Sequence, residues 1–172
     1  MDAFWGVIDT ARSGARNCCA VVSNATELLA RRPVSEIVAF HQASGRLVDA
    51  AYLHPLWAAA HLVLHGCSDD GFLDFRGYLL TQGRHVFESI VADPDSLVTF
   101  DLLPERYGGI GSCESALSIA WDAHRVATGE DLPDEARERR APLTLDPAWD
   151  FDFDDAAEMR RRLPRLAALY LL

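Results

Sequence analysis

The stretch from Trp57 to Arg84 restricts the fold more than any other part of the chain. Leu56 to Leu64 is apolar nearly all round, with His61 as its polar residue. A helix with no polar face belongs at the centre of a bundle. The run is also far shorter than the roughly 20 residues a membrane span needs. Gly66-Cys67-Ser68-Asp69-Asp70-Gly71-Phe72 follows. Gly66 ends the apolar helix, Ser68 is placed to cap the next one, and Asp69 and Asp70 fall where a helix N-terminus favours negative charge. Phe72, Phe75 and Leu79 then share one face of an amphipathic helix that Gly83 interrupts, after which Val86, Phe87, Ile90 and Val91 resume the stripe.

The remaining segments read as further helices. Phe4, Trp5 and Ile8 predict a first helix from Asp2 to about Arg12, stopped by Gly14. Cys18, Val21, Val22, Ala25, Leu28 and Leu29 form a second stripe that closes at Arg31-Arg32-Pro33. Ser35 is read as the cap of a third helix with Ile37, Val38, His41, Val48 and Ala51 or Tyr52 inward. His54-Pro55 opens the apolar helix, since proline suits a first helical turn. Asp93-Pro94-Asp95-Ser96 is a turn, and Leu97 to Leu103 fits either a short strand or an irregular loop. Tyr107 to Ser112 is a loop before a helix from about Glu114 to Thr128, with Ala116, Leu117, Ala120, Ala123 and Ala127 inward. Residues 130 to 155 should wrap the surface, Phe151 and Phe153 anchoring on the core while Asp150, Asp152 and Asp154 face water. Met159, Leu163, Leu166 and Tyr170 mark a final helix kinked at Pro164. The expected class is all-α: a single-domain bundle of about six to seven helices. It divides into a helical core (1–128), a surface segment (129–155) and a C-terminal helix (156–172).

Charge and motifs remove several functions. The net charge is −10 and all 16 basic residues are arginine. Such a chain repels phosphate backbones over long range, which argues against general nucleic-acid binding. Arg160, Arg161, Arg162 and Arg165 follow Asp154, Asp155 and Glu158, an order that suits a solvated helical face. Met1-Asp2-Ala3-Phe4-Trp5 lacks a basic region before an apolar one, so a cytoplasmic location is expected. Cys18, Cys19, Cys67 and Cys113 make no CxxC pair. Bridging neighbours whose Cα atoms are about 3.8 Å apart would strain the ring, so all four are read as reduced thiols.

His61 and His65 share a helix face, but Leu62 stands where a zinc protease has its glutamate, so no metal is expected. Gly109-Ile110-Gly111-Ser112-Cys113-Glu114 places glutamate at the third glycine of a dinucleotide fingerprint, and no cofactor is expected. Asp150 to Asp154 begins like a calcium loop but has Asp155 and Arg161 at its sixth and twelfth positions. No nucleophile elbow occurs, and no cysteine has a histidine and an acid in register.

Trp57, Asp70, Arg76 and Gln82 are therefore expected to converge on one concavity, with His61, His65, Ser68 and Asp69 beside it. An aromatic floor with opposite charges at the rim suits a small polar molecule or a protein segment. Each residue also has an ordinary structural role: capping for Asp69 and Asp70, core filling for Trp57, ion pairing for Arg76. Three functional classes follow. The first is a binding or accessory protein. The second is a small enzyme, with Asp70 as general acid/base, Arg76 holding a carboxylate or phosphate and His61 or His65 assisting. The third is an acidic inhibitor or antitoxin-like partner of a basic protein. The apolar end from Leu166 to Leu172 either docks on the core of a monomer or joins a homodimer.

Phe4-Trp5, Leu56-Trp57-Ala58-Ala59-Ala60, the Gly66 to Phe72 motif, Phe75-Arg76, Gln82-Gly83-Arg84, Ala92 to Leu97 and Leu163-Pro164-Arg165-Leu166 together resemble a bacterial family, domain of unknown function 4240. The resemblance implies a soluble, mainly helical domain and supplies no catalytic residues. Relative to the family pattern, His61 and His65 are peculiar to this chain, and Val98 to Gly111 matches poorly.

Overall fold

The computed structural model describes residues 1–105, 109–136, 138 and 141–171. Tyr107 and Gly108 of the expected central loop, and Leu172 of the apolar end, lie outside the described residues. Among those described the chain is all-helical, with no strand: α1 (Asp2–Arg12), α2 (Cys18–Ala30), α3 (Val34–Ala50), α4 (His54–Leu64), α5 (Asp69–Thr81), α6 (Arg84–Ala92), α7 (Ile119–Thr128), α8 (Ala156–Arg162) and α9 (Pro164–Tyr170). Short 3₁₀ turns at Pro94–Thr99, Glu114–Leu117, Asp134–Ala136 and Pro147–Trp149 connect them. Helices outnumber the expected six to seven because Gly83 and Pro164 each end a helix where the apolar stripe itself runs on.

The α5 helix is the axis of the molecule. Its second half, from Phe75 to Thr81, is buried on every side, and α4 lies beside it with Leu56, Ala58, Ala59, Ala60, Leu62 and Val63 buried. The α1 and α2 helices pack together, α7 packs on α2 and α3, and α9 packs on α4 and the Pro94–Thr99 turn. One apolar core therefore joins Phe4, Trp5 and Ile8 to Phe72 and Phe75 and to Met159, Leu163 and Leu166. No single helix among the described residues is long and apolar enough to cross a membrane. The α3–α4 pair reaches that length only across an 87° bend.

Several local expectations change. The α3 helix starts at Val34 with Pro33 at its N-cap, so Ser35 is an exposed helical residue and no cap. Its core face is Ile37, Phe40, Ala43, Ser44, Leu47 and Val48. The face is turned so that Phe40 meets Phe4 at 4.4 Å, which leaves Val38 and His41 half-buried at its edge. Leu97 to Leu103 is partly 3₁₀ turn and otherwise irregular. In α7, Ala127 is exposed, as are its neighbours Arg125, Val126 and Thr128 in the last turn. His124 is buried instead, and its Nδ1 donates to the Glu130 carbonyl at 2.9 Å.

Gly83 separates α5 from α6 with φ 86° and ψ 167°, a region essentially reserved for glycine. A Cβ there would stand 2.4 Å from Arg12 Nη1 and 3.0 Å from Asp9 Oδ1. Gly83→Ala is expected to cost about 2 kcal/mol, chiefly through backbone strain, since the arginine end can shift. Urea denaturation checks this, and a loss below about 0.5 kcal/mol would show that the break between helices tolerates a side chain.

Candidate functional site

The predicted site residues divide into three groups. Trp57 stacks on Phe72 (4.9 Å, 11° between planes) and its Nε1 donates to the Cys67 carbonyl at 2.9 Å. Its outer edge is covered by the chain's own later segment. Phe153 lies 6.5 Å from the Trp57 ring and 5.7 Å from the His61 ring, and His61 Nε2 is 3.0 Å from Asp154 Oδ1. Phe153 in turn packs on Phe151 and Phe151 on Trp149, while the Arg162 guanidinium lies 4.7 Å from the Trp149 ring centre and 4.9 Å from that of Phe151. His54 Nδ1 donates to the Asp146 carbonyl. Alternating rings and acids thus make a strap that lays Phe153 against α4 and Trp149 and Phe151 against Arg162, while Asp150, Asp152 and Asp154 face water. His65, in the left-handed conformation (φ 54°), meets Tyr170 instead, so the two histidines serve different parts of the C-terminal segment.

Arg76 and Gln82 are interior residues. Arg76 is 6% exposed, with Nη1 donating to the Val48 carbonyl at 2.9 Å and Nε to the Phe72 carbonyl at 3.2 Å. Its guanidinium lies 4.7 Å from the Phe72 ring centre and 5.0 Å from that of Tyr52. Burial lowers its pKa, and Tyr52, Asp49 and Cys67 oppose that shift. Val48 lies in the last turn of α3, where carbonyls lack helical partners and the dipole is negative, so Arg76 satisfies an end that would otherwise be stranded. Gln82 is wholly buried: its Oε1 accepts from Leu103 N at 2.8 Å and its Nε2 donates to Thr81 Oγ1 at 2.9 Å. It fastens the irregular chain after Thr99 to α5. Gln82 lies about 18 Å along the helix from Asp70, so the expected four do not meet in one concavity.

The acidic turn does open on a groove. Ser68 Oγ accepts from Gly71 N at 3.2 Å, the anticipated cap, and Asp69 and Asp70 occupy the exposed first turn of α5. Asp70 borders a cavity of about 470 Å³ whose other lining residues are Leu73, Asp74, Glu114, Leu117, Ser118 and Trp121. The opposite wall is drawn in by Cys113 N, which donates to the Asp74 carbonyl at 3.3 Å. Gly77 permits that approach, since a Cβ there would lie 3.0 Å from the Cys113 carbonyl oxygen. Burial pushes the Asp74 carboxyl up, and the neighbouring Glu114 and Asp70 push it further. No arginine ion pair reaches these three carboxylates among the described residues. Nor does any cluster of three or more His, Cys, Asp or Glu among them have the geometry to hold a metal ion.

Sequence reasoning found Asp70 but missed Asp74, Glu114, Ser118 and Trp121. Asp74 was within reach, being four residues past Asp70 on one helix face. Glu114 and Trp121 arrive from another part of the chain, and nothing local announces them.

No curated protein and no solved structure matches the chain. Its first 125 residues do match a family, and they contain the core of α1 to α6, the acidic turn and the groove with both of its walls. The chain belongs to the family described as protein of unknown function DUF4240.

Proposed function

We propose that the chain is a binding or accessory protein whose acidic groove receives a cationic group: an ammonium or guanidinium carried by a small polar molecule or by a partner segment. The observation behind this reading is Asp74, a carboxyl raised by burial and held between Glu114 and Asp70. Like charges gathered in a partly desolvated groove destabilise the empty protein, and a cation relieves them. Leu73, Leu117 and Trp121 provide apolar walls for the stem behind such a charge.

Asp74 makes the reading testable because stability and binding should move in opposite directions. A carboxyl with a raised folded-state pKa favours the folded state below the ordinary carboxylate range, and that contribution is lost as pH rises through the raised value. At pH 7 Asp74→Asn is therefore expected to raise the thermal midpoint slightly. The same change should weaken binding of a fluorescent peptide bearing two lysines and two arginines by roughly tenfold. That binding should also fall steeply between low and physiological salt. A variant that binds the peptide as the parent does, or binding indifferent to salt, would refute the groove as a cation site.

Asp74 also favours a second reading, a small enzyme, since a carboxyl whose pKa is raised by burial and by neighbouring acids holds its proton more tightly, as a general acid must. In that case the acid is Asp74 and not Asp70. Asp74→Asn would then retain ligand and lose turnover.

A further inference from the structure

A second cavity, of about 410 Å³, lies between α1 and the start of α6, and it shares no lining residue with the acidic groove. Several polar groups in its wall are already matched. Arg84 pairs with Asp2 from α1 and with Glu88 from its own helix, each at 2.8 Å. The Gln82 amide is taken up by Leu103 and Thr81. Asp9 and Arg12 are left over. They stand three apart on one face of α1 and converge on Gly83, where an added Cβ would meet Arg12 Nη1 and Asp9 Oδ1 together. Even so, no ion pair joins them to each other or to any other group among the described residues. Arg12 is half-buried, and its Nε is the one buried side-chain polar atom among the described residues without a hydrogen-bond partner. Native proteins seldom leave such a group unmatched.

We propose that this cavity holds a free α-amino acid as its zwitterion, the carboxylate on the outer nitrogens of Arg12 and the ammonium on Asp9. This assignment does not depend on what the acidic groove binds. The wall carries one uncompensated charge of each sign, side by side, and a zwitterion answers both without adding net charge. The carboxylate also gains backbone donors. The α6 helix begins at Gly83, which has no side chain to cap it, so its first N–H groups are open to an anion. Arg12 and that helix end act together, since Gly83 is where the guanidinium and the start of α6 meet.

Other ligands fit the wall less well. A phosphate would suit Arg12 and the helix end, but it brings about two negative charges beside Asp9 and Glu88. A simple cation would satisfy Asp9 and leave Arg12 as it stands. The amino acid's own side chain has a less polar wall to lie on. Val86 is half-buried, and the His85 ring meets Phe100 edge-on at 5.9 Å. The cavity is roomy enough for side chains of any common size, so it selects the amino-acid head group before the side chain.

The test adds each common L-amino acid in turn, at about 10 mM, to the intact chain and follows the thermal midpoint. At least one should raise it by about 3 °C, the shift for a site of millimolar affinity that is mostly filled. Calorimetry then compares the best of them with its N-acetyl derivative, its amide and inorganic phosphate. Blocking either end should weaken binding about tenfold or more, and phosphate should not displace the amino acid. Asp9→Asn and Arg12→Gln should each weaken it about tenfold as well. Asp9 is exposed, so its replacement leaves the fold alone; should Arg12→Gln fail to fold, Asp9→Asn and the blocked derivatives decide. An amide that binds as tightly would place the ligand in the acidic groove and sink the assignment. So would an equally tight N-acetyl derivative, competition by phosphate, parental binding by Asp9→Asn, or no shift with any amino acid.

Discussion

Replacing Arg76 with alanine is expected to remove about 3–4 kcal/mol of stability, enough to unfold much of the population at physiological temperature. Several losses coincide. The Val48 carbonyl at the end of α3 loses its donor at 2.9 Å, and the Phe72 and Tyr52 rings lose the guanidinium packed over them. A cavity also opens where the long side chain lay. Arg76→Met keeps most of the volume and discards the charge. Because burying a cation carries its own desolvation cost, methionine should recover at least half of the loss despite the unsatisfied carbonyl. Urea denaturation followed by circular dichroism measures both. If Arg76→Ala kept its midpoint while a ligand was lost, Arg76 would be a binding residue at the surface of a pocket, as its neighbourhood in sequence had suggested. The burial of its side chain makes that outcome unexpected.

Asp95→Ala should cost nearly as much, about 2–4 kcal/mol. Asp95 is 6% exposed and accepts from Arg165 N at 3.0 Å, Arg165 Nε at 3.0 Å and Leu166 N at 2.9 Å. It therefore caps α9 from a distant segment, filling a place that Leu163, the local N-cap residue, has no side chain to fill. Arg165 also reaches Asp93 at 2.6 Å, but both of those side chains are half in water and add little. The expected signature is loss of the C-terminal helices first. Proteolysis after residue 155 should accelerate well before the midpoint for the rest of the chain. Resistance equal to the parent's would mean that apolar docking of Leu163 and Leu166 suffices by itself.

These two residues also show what a linear reading can and cannot reach. Helix placement was legible because the apolar stripes, Gly83, Pro164 and the Ser68 cap are local signals, each carried by neighbours within one or two turns. The rotation of α3 was not. Phe40 and Leu47 fit a helical face as well as His41 does, and the choice is made by Phe4 on another helix. Asp95 reads as a turn former and Arg76 as a rim charge until their partners are known, and those partners are backbone atoms of remote segments. The acidic groove was half legible for the same reason: Asp70 and Asp74 share α5, but Glu114 is delivered by the approach of another loop at Gly77.

The strap formed by Trp149, Phe151 and Phe153 has a consequence for how the family's unit should be handled. The matched region ends at residue 125, yet Phe153 shields Trp57 and His61, and Asp95 within that region is satisfied only by residues after Pro164. Trimming the chain at the family boundary would strand the Asp95 carboxylate and the partners of His54 and His61 and bare a row of rings, so the tail belongs in any preparation meant to represent the native domain.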